Sequence, residues 1–375
     1  MKYFALSLKI STVIALFLFV SSCSKDVPLE PENEPENQSS WTIDERFVYQ
    51  DKTQLYSVKI SDKLAMIGPY GYTTLHQSEQ ASPQEMNDIQ RYAIYFRPSV
   101  SVKLPISDRY FVGASMQNSA ILFINSDHPV SSGLTASLNI RNVDPDFIEM
   151  LSIHSHYGES MAINNQNQTL MAYRATSTNH STVKLLLVDV DPGGEGPGIP
   201  TLLRIRSTKV IVLDDREHYG FDMIEAVDDH FLVSSQTKTL VVEKDGSYRS
   251  VLDRALLRVF KHNDKLYGFG RDGKFYQSSD KGNSWKSSFE VERFLSDVSF
   301  THVEDQLVGY RYGQVWKFDF NDSGYEVEEL VNTGLVGNLI TSLNEFDGKV
   351  YVTTLSGVYY KPLEQFFEIK PKESN

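Results

Sequence analysis

"NDKLYGFGRDGKFYQSSDKGNSWKSS" (Asn263–Ser288) carries the reading of the fold. It holds a polar turn, a short apolar run with Leu266 and Phe269, a turn bearing Gly273, and a second, aromatic-rich run. It ends on Ser278, Asp280, Gly282, Ser284 and Trp285, a set of turn and hydroxyl residues before a tryptophan. Two later segments repeat the first part: "EDQLVGYRYGQVWKFDFND" from Glu304 and "FDGKVYVTTLSGVYYKPL" from Phe346. Alignment puts Leu266, Leu307 and Val350 at one position, 41 and 43 residues apart. Looser copies upstream place Leu64, Phe111, Leu170 and Phe231 there, and the mean step over the seven anchors is about 48 residues.

Past Trp41 no long stretch carries apolar residues at helical spacing. Short alternating runs are instead punctuated by Gly, Asn and Asp, which reads as strands and turns. Aromatics make up 12% of the chain, with 20 Tyr and 21 Phe, and this composition also favours strands. A period of 40–50 residues with four short strands per unit predicts an all-β fold, a β-propeller. Seven anchors predict seven four-stranded blades, with six or eight as the alternatives. A lone four-stranded sheet covers neither of its faces, whereas radial stacking covers both. The ring must also close, and "ERFVYQ" from Glu45 is the expected closing strand beside "GVYYKPL"; the tail "FFEIK" competes for that place.

Ser278-x-Asp280-x-Gly282-x-Ser284-Trp285 resembles the Asp-box, the bacterial neuraminidase repeat. The Asp280 carboxylate can accept loop N–H groups, Gly282 can take positive φ, Ser284 can tie the turn, and Trp285 can bury its ring. The resemblance implies a turn between the third and fourth strands of a blade, at the periphery. Degenerate relatives stand at Asp245–Tyr248 and around Asp322, Gly324 and Tyr325. The box occurs in sialidases, other glycosidases, sortilin-like receptors and photosystem assembly factors, so it implies a fold and no single activity.

Lys2 and Lys9 precede an eleven-residue apolar run, Ile10–Val20, too short to span a bilayer and suited to a signal peptide. "VSSC" ends at Cys23, the single cysteine, and resembles the bacterial lipobox. The resemblance implies removal of residues 1–22 and acylation of Cys23. An acylated Cys23 leaves no thiol for a disulfide, a metal or nucleophilic catalysis. One acyl chain anchors marginally, at about 0.8 kcal/mol per buried CH₂, so a stable anchor needs two or more. Residues 24–40 hold four Glu and three Pro with almost nothing apolar, so residues 23–40 read as a disordered acidic tether. The tether resembles those of surface-exposed Bacteroidota lipoproteins, and Ser24 after the cysteine implies the outer membrane. Residues 41–375 form the single propeller domain.

The net charge of −13 argues against nucleic acid and against an anionic membrane surface as partners. Phosphate loops, nucleophile elbows and His-Glu-x-x-His motifs are absent, and no cofactor is expected. "YFRPS" with Arg97 departs from the arginine motif of sialidases. Asp214, Asp215, Glu217 and Asp222 supply carboxylates in what reads as a solvated connection. Asp189, Asp191 and Glu195 alternate with glycines and make a candidate Ca²⁺ loop, although the spacing lacks the EF-hand pattern. His154 and His156 would share one face of a strand without a third ligand.

The sequence therefore reads as an outer-membrane, cell-surface lipoprotein whose propeller binds a glycan or a protein without catalysis. Tyr70, Tyr72, Tyr157, Tyr219 and Tyr312 are available for stacking or packing. The alternative is a sialidase-like glycoside hydrolase or lyase with acidic residues in a central pocket.

Overall fold

Tight turns with positive φ set the hairpins of this chain. Asp228, the pair Asn263–Asp264, Glu304 and the pair Asp347–Gly348 all adopt positive φ at the bend between a first and a second strand. Such turns match the right-handed twist of the strands they join, and short polar side chains or glycine tolerate them best.

The computed structural model describes residues 40–47, 56–60, 63–68, 71–76, 90–92, 102–103, 110–115, 120–125, 134–151, 160–176, 181–191, 204–213, 221–321, 323–335 and 337–371. All of them fall in one compact unit, Ser39–Asn375. Their strands pair into seven antiparallel sheets. We number the sheets along the chain by their first strands: Tyr56–Ile60, Val102–Lys103, Phe147–Met150, Phe221–Val227, Leu256–His262, Ser299–Val303 and Ile340–Phe346. Each sheet has four strands, and the third adds a fifth, Met161–Ile163, beside Gln168–Thr176.

The seven anchor positions fall one to a sheet, each on the second strand of the main four. Leu64 lies on Lys63–Gly68, Phe111 on Tyr110–Ser115, Leu170 on Gln168–Thr176 and Phe231 on His230–Ser235. Leu266, Leu307 and Val350 lie on Lys265–Gly270, Gln306–Arg311 and Lys349–Thr354. Among these strands His230–Ser235 is buried at every position, and Lys265–Gly270 and Lys349–Thr354 are buried at all but their first. Fourth strands such as Lys286–Glu290 and Arg204–Val212 are mostly exposed.

Apolar clusters lie between successive sheets. Ile121 and Phe123 of the second sheet meet Phe147 and Tyr173 of the third. Leu185 meets Phe231 between the third and fourth, and Leu232 meets Leu266 between the fourth and fifth. Phe269 meets Phe318, and Val308 meets Val350, in the next two seams. Leu64 and Met66 of the first sheet pack on Phe346 and Tyr351 of the seventh, so the stack returns on itself. Hydroxyls also stitch that last seam: the Ser57 amide donates to Ser342 Oγ at 2.7 Å, and the two hydroxyls lie 2.6 Å apart.

Closure differs from the expectation. Thr42–Ile43, not the segment from Glu45, pairs with Gly357–Pro362 as the outer strand of the seventh sheet. Glu45–Phe47 turns away as a single 3₁₀ turn and buries Phe47. The tail does not compete for the place. It runs beside the sixth sheet's exit, where Leu330 bridges Ile369 and the Val331 amide donates to the Glu368 carbonyl at 2.8 Å.

Candidate functional site

In every sheet the strands alternate in direction, so its turns fall at two ends. First-to-second and third-to-fourth turns emerge at one end; second-to-third turns and the links between sheets emerge at the other. The Ser278–Trp285 turn joins the third and fourth strands of the fifth sheet. Ser284 donates to Asp280 twice, from its amide at 2.9 Å and its hydroxyl at 2.6 Å. Ser278 Oγ donates to Asp280 at 2.8 Å and accepts from the Gly282 amide at 2.8 Å. Trp285 Nε1 donates to the Gly282 carbonyl at 3.0 Å. Burial raises the Asp280 carboxyl, but the hydrogen bonds from Ser284 and Ser278 outweigh it and leave the group below its ordinary value.

This turn grips the preceding sheet. His230 donates to the Lys281 carbonyl at 2.9 Å, and Lys281 pairs with Asp228 at 2.6 Å. Arg249 donates to Asn283, and Trp285 packs against the cluster of Met223, Leu232 and Val241. The Asp245 turn does the same one sheet earlier: Ser247 donates to Asp245 from its amide at 2.8 Å, and Lys209 donates to the Asp245 carbonyl at 2.6 Å. In the sixth sheet the tie is Asn321, which accepts from the Ser323 amide at 2.9 Å; Asp322 lies outside the described residues.

The other chemistry gathers on the inner strands and at the opposite end. Tyr56, Glu225, Arg258 and Tyr310 come from the first, fourth, fifth and sixth sheets. Burial raises the Tyr56 phenol, and Tyr310 and Glu225 raise it further. Burial lowers the Arg258 guanidinium, opposed by Tyr310, Glu225 and Asp297. Tyr56, Glu225 and Arg258 stand on the first strands of their sheets and Tyr310 on a second strand, and their charges influence one another across the sheets.

Arg–Asp pairs stand at the rim. Arg271 donates to Asp222, which is only 4% exposed. Burial raises the Asp222 carboxyl and Arg271 offsets part of that rise, so Asp222 is no member of a solvated connection. Arg311 pairs with Asp297 at 2.9 Å and lays its guanidinium 4.7 Å from the Tyr312 ring centroid. Arg254 approaches Asp272 at 3.7 Å, and Asp272 accepts from the Tyr276 hydroxyl at 2.8 Å. Burial and that hydrogen bond push the Tyr276 phenol up to about 12.

Of the remaining sequence candidates the structure describes only a few. Asp189 and Asp191 sit within the eleven-residue strand Ser181–Asp191, paired to Ser207 and Arg204, and not on a flexible loop. Asp191 forms an ion pair with Arg206 at 3.2 Å. Cys23, Arg97, His154, His156, Glu195, Asp214, Asp215 and Glu217 lie outside the described residues, as do Tyr70, Tyr157 and Tyr219. Tyr72 pairs with Tyr92 in the first sheet, and Tyr312 is about half exposed. Among the described residues no three His, Cys, Asp or Glu side chains gather as a metal site.

Compared with models of known families and with curated proteins, the sequence matches none. Solved structures do match in shape. The β-propeller domain of Cps50 (Swd1) from Myceliophteria thermophila aligns with a TM-score of 0.51 at 10% identity, over 87% of this chain and 98% of that one. The WD40 propeller domain of Doa1 gives 0.51 at 10% identity, over 88% and 98%. BamB from Moraxella catarrhalis gives 0.50 at 11% identity, over 90% and 99%. At such identities the likeness concerns architecture alone, and it agrees with the closed stack of four-stranded sheets: the fold is an all-β propeller.

Proposed function

We propose that the chain is a lipid-anchored, outer-membrane binding protein displayed at the cell surface. Its seven sheets act as seven blades, the fifth sealed by an Asp-box-type turn and the fourth by a degenerate relative, and its rim and inner strands hold a glycan or protein partner without catalysis. The observation that carries this reading is the treatment of the buried carboxylates. Asp44 accepts from Arg46, Asp144 from Lys184 and Tyr173, and Asp222 from Arg271. Carboxylates tied to cations in this way brace structure, whereas a glycosidase needs two that face each other across a bond, roughly 5–10 Å apart.

A second reading rests on Asp222. A buried carboxyl held above its usual range beside an arginine suits a general acid of a sialidase-like hydrolase or lyase. A glycan array combined with a hydrolysis screen of the full chain separates the two. Retention of a glycan or a protein without turnover is the expected result. Turnover that disappears in Asp222→Asn would replace the first reading with the second. Anchoring has its own test: Cys23→Ala should abolish acyl labelling and move the protein out of the membrane fraction.

A further inference from the structure

At the turn end, remote from the rim, two imidazoles meet across the seam between the fifth and sixth sheets. His262 closes the inner strand Leu256–His262, and His302 lies near the end of Ser299–Val303. His262 Nδ1 and His302 Nε2 are 3.5 Å apart, and the rings are inclined by 23°. Two nitrogens bound to one tetrahedral ion, each about 2.1 Å from it, stand about 3.4 Å apart. The observed separation is therefore close to a chelating bite.

The surroundings suit ligation by those two atoms. If Nδ1 of His262 binds, its Nε2 must carry the proton and needs an acceptor. Asp319 Oδ1 stands 4.0 Å from that nitrogen, and the Asn263 side-chain amide contacts it at 3.0 Å. The amide can present its oxygen there by a simple flip. His262 is buried and therefore fixed in place, while His302 is exposed and leaves an approach for an ion and its waters.

We propose that His262 and His302 form a two-histidine site for an imidazole-preferring divalent transition metal, with water completing the shell. A bound ion would cross-link the fifth and sixth sheets at the end where their turns already engage their neighbours. Imidazole donors predict the order Cu²⁺ above Ni²⁺ and Zn²⁺, and no response to Ca²⁺ or Mg²⁺.

The test is titration of the full chain, purified without a histidine tag, with Cu²⁺ and separately Zn²⁺. Calorimetry supplies the affinity and electron paramagnetic resonance the Cu²⁺ ligands. The expected result is one tight site whose Cu²⁺ spectrum carries coupling to two imidazole nitrogens. His302→Gln, at an exposed position, should weaken it at least tenfold and remove one coupling. His262→Gln should do the same, and circular dichroism checks that this buried variant folds. Absence of binding, or equal affinity in wild type and His302→Gln, overturns the assignment. So does tighter binding of Ca²⁺ than of Zn²⁺.

Discussion

At Gly282 a side chain has nowhere to go. Its φ is +85°, and an added Cβ would stand 2.8 Å from Leu232 of the preceding sheet. Gly282→Ala should therefore cost about 1–3 kcal/mol through backbone strain and overlap together. Asp280→Ala, which removes three accepted hydrogen bonds at an exposed turn, should cost about 1–2 kcal/mol. Neither should alter ligand retention at the opposite end, and chemical denaturation beside a binding assay checks both. Asp144 accepts from Tyr173 at 2.6 Å and Lys184 at 2.9 Å. Burial raises this carboxyl, but the Tyr173 and Lys184 hydrogen bonds hold it below the ordinary 3.8. A lowered carboxylate contributes stability above its unfolded value and loses it as the pH falls through the folded one. Lys184→Met should therefore lower the melting temperature near neutral pH and flatten the acid limb, so that the two profiles converge at low pH, and Tyr173→Phe should cost about 1–2 kcal/mol. An acid limb of unchanged steepness would show that Lys184 does not hold the charge. The Ser278–Trp285 turn was legible in sequence because the hydrogen bonds that tie it internally lie within eight residues. The Asp222–Arg271 pair was not, because its members stand 49 residues apart and only the fold makes them neighbours.

Elements were legible where a strand is long enough to carry a pattern. Leu266, Leu307 and Val350 mark second strands because those strands run six residues between polar turns. Thr42–Ile43 has two residues, too few for any period, and the more apolar "ERFVYQ" drew the assignment instead. Asp189 and Asp191 misled for the opposite reason: their charges suggested a loop, but cross-strand pairing extends the strand through them. Brief as it is, the closing strand is strongly held. The Trp41 amide donates to the Thr333 carbonyl, and the Asp44 amide to the Val358 carbonyl, both at 2.8 Å. Trp41 is buried, edge-on to Phe366 at 6.0 Å, and its carbonyl lies against Gly334. Trp41→Ala should therefore cost about 3–5 kcal/mol, the value of a buried aromatic, although it sits only one residue from the strand. Thermal unfolding of the variant measures it, and a loss below about 1 kcal/mol would mean that the last sheet closes without this clamp.

A stack of sheets that returns on itself differs from an open array in having no ends. In an open array each unit has its own stability plus terms with its neighbours, and the terminal units fray first. Here the first sheet packs on the seventh through Leu64, Phe346 and Tyr351. Turn contacts add ties between successive sheets: Asn165 to Asp228, His230 to Lys281, and Glu304 to Glu345. Opening any seam from the second sheet round to the first exposes two apolar faces at once. The three tryptophans report on separate places: Trp41 at the closing strand, Trp285 between the fourth and fifth sheets, and Trp316 in the sixth. Chains retaining Trp41 alone or Trp285 alone, with the others changed to Phe, should show the same urea midpoint as the far-ultraviolet circular dichroism of the same variant. Coincidence of local and global probes is the mark of an all-or-none transition. A Trp41 signal that unfolds well before the dichroism would mean that the closing strand opens on its own and that the seventh sheet behaves as a free end.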